Sequence, residues 1–359
     1  MFLTILPVSG GNFATQLTSM LHLCEIKFKS DVIFSSSGGN VAAYITLAAN
    51  WDRSNIYKIC NHLNCEMFLN KWCYSEFISF IIGFFRGFIY NKGTGIEKYV
   101  KKWFTEESIQ ETEIWTGTYN KKYQKPRLFT NISKGNSKFL DKDESKFELD
   151  QCMSIVYSSG DLELISKYII ASASIPSLVP EQYIEGDTYI DGGMFSASPL
   201  SLLSDALNEK NKHMIYITPI NIYNSEENFY NNFLENVRQS TDYMVKSNII
   251  NDRMICYNLL KMKYNDIIEY EFVCNYINLK RIKKIWNLCE NTLLEIYPEK
   301  DKCLPLNNFK NKDIIDIIEI QYNNMKCKFS IPLYEKTEKI DMYIYKCVNN
   351  IESKNLTVI

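Results

Sequence analysis

The chain has 359 residues, of which 46% are hydrophobic, and its formal net charge at pH 7 is −2. That hydrophobic content predicts a large folded core and argues against a disordered chain. The near balance of 40 basic and 42 acidic residues gives no reason to expect a nucleic-acid partner, so any attraction to a charged surface must come from local patches.

The N-terminal part predicts two strand–turn–helix units in succession. Residues 2–8 form a β-rich run, and the turn Ser9-Gly10-Gly11-Asn12 leads from it into a helical pattern. A second apolar run, residues 31–34, ends in Ser35-Ser36-Ser37-Gly38-Gly39, and residues 41–51 predict the following helix. Such a repeat favours the α/β class, with a mostly parallel sheet covered by helices.

Residues 52–125 predict a helical insertion that is a candidate lid. Within it, residues 77–90 are apolar almost all round, but the run is too short to span a bilayer. A buried core helix and a lid segment in contact with lipid both stay open for this run. The insertion also contains a loose group of metal-ligand types that lacks paired zinc spacing and so favours core packing: Cys60, His62, Cys65 and Cys73.

The remaining elements follow from apolar spacing. Strands are predicted at residues 127–132, 153–156, 189–191 and 214–218, and helices at 165–173, at 226–262 and from Lys280 onwards. Alternating segments after Pro298 predict further strands at 314–320 and 339–345. We therefore expect an α/β domain over residues 1–263 and an α+β extension over 264–359.

The start of the chain and its cysteines bear on location. The first residues lack the basic region and the cleavage site of a signal peptide, and no segment has the length and hydropathy of a transmembrane helix. The 11 cysteines are spread over the whole length. We expect them to be reduced, in an intracellular, cytoplasmic protein.

The turn after the second strand carries the most specific chemical signal. A strand that ends in a tight turn of small residues, with a helix following at once, has the layout of a nucleophile elbow, usually spelt Gly-x-Ser-x-Gly. Here the spelling is Ser35-x-Ser37-x-Gly39, so Ser37 is the candidate nucleophile. The amide of Gly38 is expected to point at the same place as the hydroxyl.

A serine nucleophile needs a base for its proton and donors for the oxyanion that forms. Gly10 and Gly11 are candidate donors, because glycine lets the backbone approach a ligand and a helix N-terminus follows. Asp191 is the candidate base, at a strand end before two glycines. His213 alone follows Asp191, as a triad in hydrolase order requires, but its polar surroundings favour a surface histidine.

Four signals in this order resemble the patatin-like phospholipase family. They are the glycine-rich turn, the elbow, Ala171-Ser172-Ala173-Ser174-Ile175-Pro176 and Tyr189-Ile190-Asp191-Gly192-Gly193. The resemblance covers about residues 1–260 and implies a three-layer α/β/α fold. It also implies a catalytic dyad of Ser37 and Asp191, an oxyanion hole made by Gly10, Gly11 and Gly38, an acyl-enzyme intermediate, and no metal or cofactor.

The activity that this resemblance implies is a phospholipase A-type lipid acyl hydrolase, a serine esterase that acts on phospholipids or other acyl esters with peripheral membrane contact. Family members usually have a third glycine in the donor loop, then a basic residue and another glycine. This chain has Asn12, Ala14 and Thr15 at those places. The departure leaves a second interpretation open, a catalytically impaired module that binds lipid or a protein partner.

Overall fold

The computed structural model describes residues 1–71, 75–88, 90–92, 95–140, 154–200, 213–223, 233–264, 266–304, 309–333 and 337–348. Its strands are, in chain order, β1 (Phe2–Leu6), β2 (Val32–Ser35), β3 (Leu69–Asn70), β4 (Asn91–Lys92), β5 (Glu113–Asn120), β6 (Lys125–Thr130), β7 (Ser154–Tyr157), β8 (Gln182–Ile184), β9 (Asp187–Asp191), β10 (His213–Ile217), β11 (Ile267–Val273), β12 (Thr292–Pro298) and β13 (Met325–Pro332). Its α-helices are α1 (Phe13–Glu25), α2 (Gly38–Ala48), α3 (Arg53–Cys60), α4 (Glu76–Arg86), α5 (Ile96–Trp103), α6 (Glu106–Glu111), α7 (Leu162–Ser172), α8 (Phe233–Lys263), α9 (Tyr276–Trp286), α10 (Asn311–Tyr322) and α11 (Glu338–Val348).

One large sheet organises the molecule, with the strand order β11-β13-β12-β10-β1-β2-β5-β6-β7. The five central strands, from β12 to β5, run parallel to one another. Antiparallel pairs flank them, β12 with β13 on one side and β5 with β6 on the other. The α/β class with a mostly parallel central sheet is therefore confirmed.

Side chains alternate between two hydrophobic clusters, one on each face of this sheet, because successive strand residues point to opposite faces. In β10, for example, Met214 and Tyr216 belong to one cluster and Ile215 to the other. Helices α1, α2, α9 and α10 supply the cluster on the face of Ile215, and α8 supplies the cluster on the opposite face. The result is a three-layer α/β/α arrangement.

The C-terminal part of the chain is built into the same sheet and core. β12 lies between β10 and β13, so it continues the sheet without a break. The ring of His22 in α1 stacks on Tyr322 in α10 at 4.2 Å, and Phe2 in β1 packs edge-on against Trp286 in α9 at 5.1 Å. The division of the chain into a domain over residues 1–263 and an extension over 264–359 stays a prediction. The two ring contacts join residues from both sides of that boundary.

The prediction of a helical insertion over residues 52–125 is wrong at its C-terminal end. Helices α3 to α6 lie within that range, but β5 then pairs with β2 in the centre of the sheet. The strand was not predicted because its end residues, Glu113 and Asn120, are polar, although its interior contains Ile, Trp, Thr and Tyr, which favour β-structure. Both end residues are buried, so β5 sits deep in the protein despite its polar ends.

The strands predicted at residues 314–320 and 339–345 are also wrong, because both segments are helical, in α10 and α11. The isoleucines of α10 suggested β-structure, since β-branched residues are common in strands. Their buried members, Ile314, Ile317 and Ile318, nevertheless follow helical spacing. Asp313 also accepts a hydrogen bond from the amide of Lys310, 2.7 Å away, at the start of this helix.

Within the apolar run at residues 77–90, residues 77–86 belong to α4, and exposed apolar side chains there show that it is not a buried core helix. Residue 89 lies outside the described residues. Phe85 is 83% exposed and Ile78 is 51% exposed. The short strand β3 precedes α4 and β4 follows it. The two strands pair with each other in an antiparallel ladder and so bring the two ends of the segment that contains α4 together. Among the described residues, no helix combines the length and the hydropathy needed to cross a membrane.

A chain cut after residue 263 should not unfold as a cooperative unit. Without β12, the edge of β10 is open, and α1 loses the packing of α9 and α10, so much of one hydrophobic cluster meets water. Thermal unfolding followed by circular dichroism tests this, with the full chain as the control. A cut chain that melts cooperatively near the temperature of the full chain would show that residues 1–263 fold alone.

Candidate active site

Ser37 lies in a strained turn between β2 and α2. Its backbone has φ 52° and ψ −127°, in a region that non-glycine residues rarely adopt. Strain of this kind costs about 1–3 kcal/mol and is held in place only where the surroundings fix it. The turn therefore has the backbone geometry expected of a nucleophile elbow, as the spelling Ser35-x-Ser37-x-Gly39 predicts.

The structure brings Ser37 and Asp191 into direct contact, although they are 154 positions apart in the chain. The Ser37 hydroxyl donates a hydrogen bond to Asp191 Oδ2 over 2.7 Å. Ser37 is only 2% exposed and Asp191 only 1%. The two residues selected from the sequence thus form one buried hydrogen-bonded pair.

Strand β5 explains how the two residues meet. Its first half pairs with β2, with Thr116 opposite Ser35, and its second half pairs with β9, with Thr118 opposite Asp191. Because β6 occupies the other edge of β5, β2 and β9 share one edge and point their ends toward each other. Thr116 and Thr118 are two residues apart, about 7 Å along the strand. The meeting point is therefore built into the pairing of the sheet.

Asp191 is held rigidly by its backbone and by its second oxygen. Its amide donates to the carbonyl of Ser174 over 3.0 Å, and its Oδ1 accepts from the amide of Gly193 over 2.7 Å. Gly192 packs so tightly on β5 that a Cβ there would lie 2.6 Å from the carbonyl oxygen of Gly117. Only glycine fits that position, which accounts for the glycine directly after Asp191.

Ser172, the last residue of α7, ties the elbow to β5. The amide of Ser37 donates to Ser172 Oγ over 2.9 Å, and the Ser172 hydroxyl donates to the carbonyl of Gly117 over 2.9 Å. Ser172 lies within the segment Ala171-Ser172-Ala173-Ser174-Ile175-Pro176, but its sequence context alone predicts no task for it. Its contacts show that it holds the strained backbone of Ser37 in register with β5.

The glycine-rich turn after β1 lies directly against the elbow. A Cβ on Gly38 would come within 2.4 Å of Ser9 Oγ and 2.9 Å of the backbone nitrogen of Gly10. Gly10 and Gly11 begin a 3₁₀ turn and Gly38 begins α2, and the first amides of a helix have no acceptor within that helix. Two of the predicted donors, Gly10 and Gly38, therefore lie side by side next to Ser37.

Ser9 is a further polar group at this place that sequence reasoning did not select. Its hydroxyl is buried and has no hydrogen-bond partner within the described part of the chain. It adjoins Gly38, so it can offer an O–H to the space beside the elbow. Ser9 could have been selected from the sequence by its position, because it is a small polar residue directly before the candidate donors Gly10 and Gly11.

Burial raises the pKa of Asp191 from its usual value near 4 to about 7, against the opposing effect of the hydrogen bonds from Ser37 and Gly193. Among the described residues, no cation forms an ion pair with this carboxylate. Since burial penalises the charged form, the group changes its protonation state near neutral pH. Such a carboxylate can hold a proton from Ser37 more readily than an exposed one.

His213 is not part of this site, and the expectation of a surface histidine is wrong. It opens β10 opposite Phe2 at the start of β1, whereas Ser35, before the elbow, lies opposite Leu6 at the end of β1. Phe2 and Leu6 are about 13 Å apart along the strand. His213 is buried, its Nδ1 is 3.1 Å from Thr292 Oγ1, and burial lowers its pKa to about 4.

The described residues offer no site for a metal ion, since no three of their His, Cys, Asp and Glu side chains cluster suitably. Of the loose group noted in the sequence, Cys73 lies outside the described residues. Cys60 is fully buried, and burial raises the pKa of its thiol to about 12. That shift favours an inert core thiol over a metal-binding thiolate.

Replacing Asp191 with Asn should stabilise the protein at high pH. The folded-state pKa near 7 exceeds the unfolded value near 4, so stability falls as pH rises through that window, where the folded state binds the extra proton. The melting temperature of D191N minus that of the native protein should therefore increase from pH 5 to pH 8. Asp252, also buried with its pKa raised to about 7, is present in both proteins and cancels. A difference that is constant or falls with pH would contradict this assignment.

Comparison with known proteins places the chain in a family. The comparison with curated proteins found no match. A solved structure, VipD from Legionella pneumophila, is similar over 97% of this chain and 73% of its own. The sequence identity is 10% and the TM-score is 0.29, which is too weak to establish a shared fold or function. The model of the patatin-like phospholipase family matches residues 9–204, more than half of the chain. The chain therefore belongs to the patatin-like phospholipase family.

Proposed function

We propose that this protein is a lipid acyl hydrolase of the phospholipase A type, which cleaves acyl esters through Ser37 and Asp191. The observation that carries the proposal is the buried 2.7 Å hydrogen bond from the Ser37 hydroxyl to Asp191 Oδ2. A base in contact with a serine hydroxyl, with unpaired amides beside it, is the arrangement that acyl transfer requires. Membership of the family supports an acyl-ester substrate.

In the first half of the reaction, Asp191 takes the proton of Ser37 while Ser37 Oγ bonds to the carbonyl carbon of the ester. The carbonyl oxygen becomes an oxyanion. As the tetrahedral intermediate collapses, the bond to the leaving alcohol breaks, and the alcohol oxygen receives the proton from Asp191. An acyl-enzyme on Ser37 remains.

In the second half, Asp191 takes a proton from water, and the resulting hydroxide attacks the acyl carbon. The bond to Ser37 Oγ then breaks, Ser37 regains the proton from Asp191, and the fatty acid leaves. Each oxyanion would be held by the amides of Gly10, Gly11 and Gly38, with the free hydroxyl of Ser9 as an additional donor. Each donor of this kind typically contributes about 3 kcal/mol to the transition state.

The raised pKa of Asp191 supports a base that works without a histidine. General bases are most effective when their pKa lies near the working pH. An ordinary aspartate, with a pKa near 4, is a weak base at neutral pH. Burial moves the pKa of Asp191 to about 7, which brings it into the effective range.

Peripheral contact with a lipid surface, at the cytoplasmic face of a membrane, is part of the proposal. The exposed apolar side chains of α4, Ile78, Ile81 and Phe85, recur at the spacing of one helical face. The lysines at positions 98, 101 and 102 of α5 are exposed as well. A protein surface that offers both apolar and basic side chains suits a membrane with anionic lipids.

Replacing Ser37 with Ala should abolish the release of fatty acid, by about 10⁴-fold or more, because the attacking oxygen is lost. Asp191→Asn should cost a similar factor, because the base is lost. Fatty acid release from a panel of phospholipids and simpler esters measures both. Ser36→Ala is the matched control, since it removes a neighbouring hydroxyl that lies beside Gly117 and, among the described residues, forms no hydrogen bond with Ser37 or Asp191, and it should keep most of the activity. Full activity in S37A or D191N would refute the dyad.

A fluorophosphonate probe separates the enzyme from the alternative, a lipid- or partner-binding module that kept the fold. The donor loop has Asn12, Ala14 and Thr15 where family members usually have a glycine, a basic residue and another glycine, and this departure favours the alternative. An activated Ser37 should react with the probe and carry a single adduct. An unlabelled protein that still binds lipid vesicles would favour the module.

The pH dependence should report Asp191. Because the base must be deprotonated, kcat/KM should rise with pH, with a midpoint near 7, and level off above about pH 8. Asp252→Asn removes another buried carboxylate, whose pKa is also raised to about 7, and should leave this midpoint in place. A midpoint near 4, or one that disappears in D252N, would assign the titration to another group.

A further inference from the structure

The donor turn after β1 has little in its own sequence to hold it in one shape. Gly10 and Gly11 are consecutive glycines, and glycine leaves the backbone more freedom than any other residue. Asn12 follows them, but its side chain makes no cap hydrogen bond to α1, and its Oδ1 has no partner in the described part of the chain. Donors that stabilise an oxyanion must be fixed before the reaction, so this turn needs support from other parts of the fold.

The elbow supports one side of the turn. A Cβ on Gly38 would lie 2.6 Å from the carbonyl oxygen of Gly10 and 2.9 Å from its backbone nitrogen. Gly10 also has a positive φ of 48°, which favours glycine there. These contacts restrain Gly10, whereas Gly11 lies one residue further along the chain.

The segment that follows β12, residues 299–304, lies against Gly11, and we call it the strap. The amide of Leu304 donates a hydrogen bond to the carbonyl of Gly11 over 3.1 Å. A Cβ on Gly11 would overlap the carbonyl oxygen of Leu304 and lie 2.9 Å from Cys303 Sγ. The backbone of Gly11 is outside the left-handed region, so the close approach of the strap is what requires glycine at this position.

The strap is fixed at both of its ends. Near its start, the carbonyl of Glu299 accepts from Asn221 Nδ2 over 2.9 Å, and the carbonyl of Lys300 accepts from Gln321 Nε2 over 2.8 Å. At its end, Leu304 is only 1% exposed and belongs to the same hydrophobic cluster as the apolar side chains of α1. A segment held in this way can transmit the rigidity of the core to the donor turn.

We propose that the strap positions the donor turn for catalysis and that Leu304 is a positioning residue, which acts through the carbonyl of Gly11. The inference rests on the proposed function, because the turn has a catalytic task only if an oxyanion forms beside Ser37. The strap lies outside residues 9–204, which the family model matches. Thr15, one of the departures from the usual family pattern, also faces the strap, with its Oγ1 3.5 Å from the carbonyl oxygen of Lys302. The donor turn is therefore held by the C-terminal part of the chain.

An ester bond at position 304 removes this hydrogen bond without changing a side chain. Incorporation of the α-hydroxy acid analogue of leucine replaces the amide N–H of Leu304 by oxygen, so the carbonyl of Gly11 loses its donor. For a water-soluble ester substrate, kcat should fall about tenfold while KM stays within about twofold, because the turn serves the oxyanions of both halves of the reaction. The pH midpoint near 7 should not move, since Asp191 is untouched.

The same analogue at position 333 is the matched control. The amide of Leu333 donates to the carbonyl of Asp266 over 2.8 Å, directly after β13, which lies three strands away from β1. This ester removes a backbone hydrogen bond of the same kind and should leave kcat within about twofold of the native value. All rates are measured well below the melting temperatures found by circular dichroism. An unchanged kcat in the ester at 304, or an equal loss in the ester at 333, would overturn the inference.

Gly11→Ala is a second variant, with an ordinary backbone. It keeps the amide of residue 11 but places a methyl group where the carbonyl of Leu304 lies, so the strap and the turn must move apart. Its kcat should fall at least tenfold, again with KM within about twofold. If the ester at 304 does not fold, this variant decides, and a native kcat in G11A would count against the strap.

Hydrogen exchange separates the strap from the proposed activity. Mass spectrometry of peptides that span residues 7–13 follows the amides of the donor turn without a substrate. Exchange there should be at least tenfold faster in the ester at 304 than in the native protein, and unchanged in the ester at 333. If the native protein hydrolyses no ester, the proposed function fails, and faster exchange would still support the hold of the strap on the turn. Hydrolysis by the native protein, with unchanged exchange and unchanged kcat in the ester at 304, would keep the activity and overturn the inference.

Discussion

The candidate active site depends on one hydrogen bond, from the Ser37 hydroxyl to the buried carboxylate of Asp191. Neither residue could hold its place alone, since Ser37 sits in a strained backbone and Asp191 has no cation beside it in the described structure. The sheet supplies the constraint. β5 pairs with the strand before Ser37 along half of one edge and with the strand of Asp191 along the other half, so their ends must face each other.

The burial of Asp191 favours its proposed role as a base and at the same time lowers the stability of the folded protein. Burial without a cation raises the pKa of Asp191, which suits a base but disfavours the charged folded state. Hydrogen bonds from Gly193 and through Ser172 fix the two partners. The C-terminal part also contributes, since the amide of Leu304 donates to the carbonyl of Gly11 over 3.1 Å and steadies the donor turn from outside residues 9–204, which the family model matches.

Much of the site could be predicted from the sequence because its signals are local. The elbow around Ser37 and the strand end at Asp191 need special turns, and special turns require small residues at fixed offsets. The position of β5 was missed because its ends, Glu113 and Asn120, are polar residues that are nevertheless buried in the sheet. Helix α10 was predicted as a strand because its isoleucines have high β-propensity, which their burial on one helical face overrides. The tasks of Ser172 and Leu304 arise only from long-range contacts, which no spacing in one sequence reveals.

The proposed role of Ser37 as the nucleophile is tested most directly by looking for a covalent intermediate on its side chain. Native protein mixed with a slowly turned-over acyl ester, quenched in acid within the first turnover and digested, can be examined by peptide mass spectrometry. We expect one acyl group on the peptide that contains Ser37, formed as fast as the alcohol is released. Fatty acid release with no adduct on Ser37, or with the acyl group on another residue, would contradict the proposed role of Ser37 as the nucleophile.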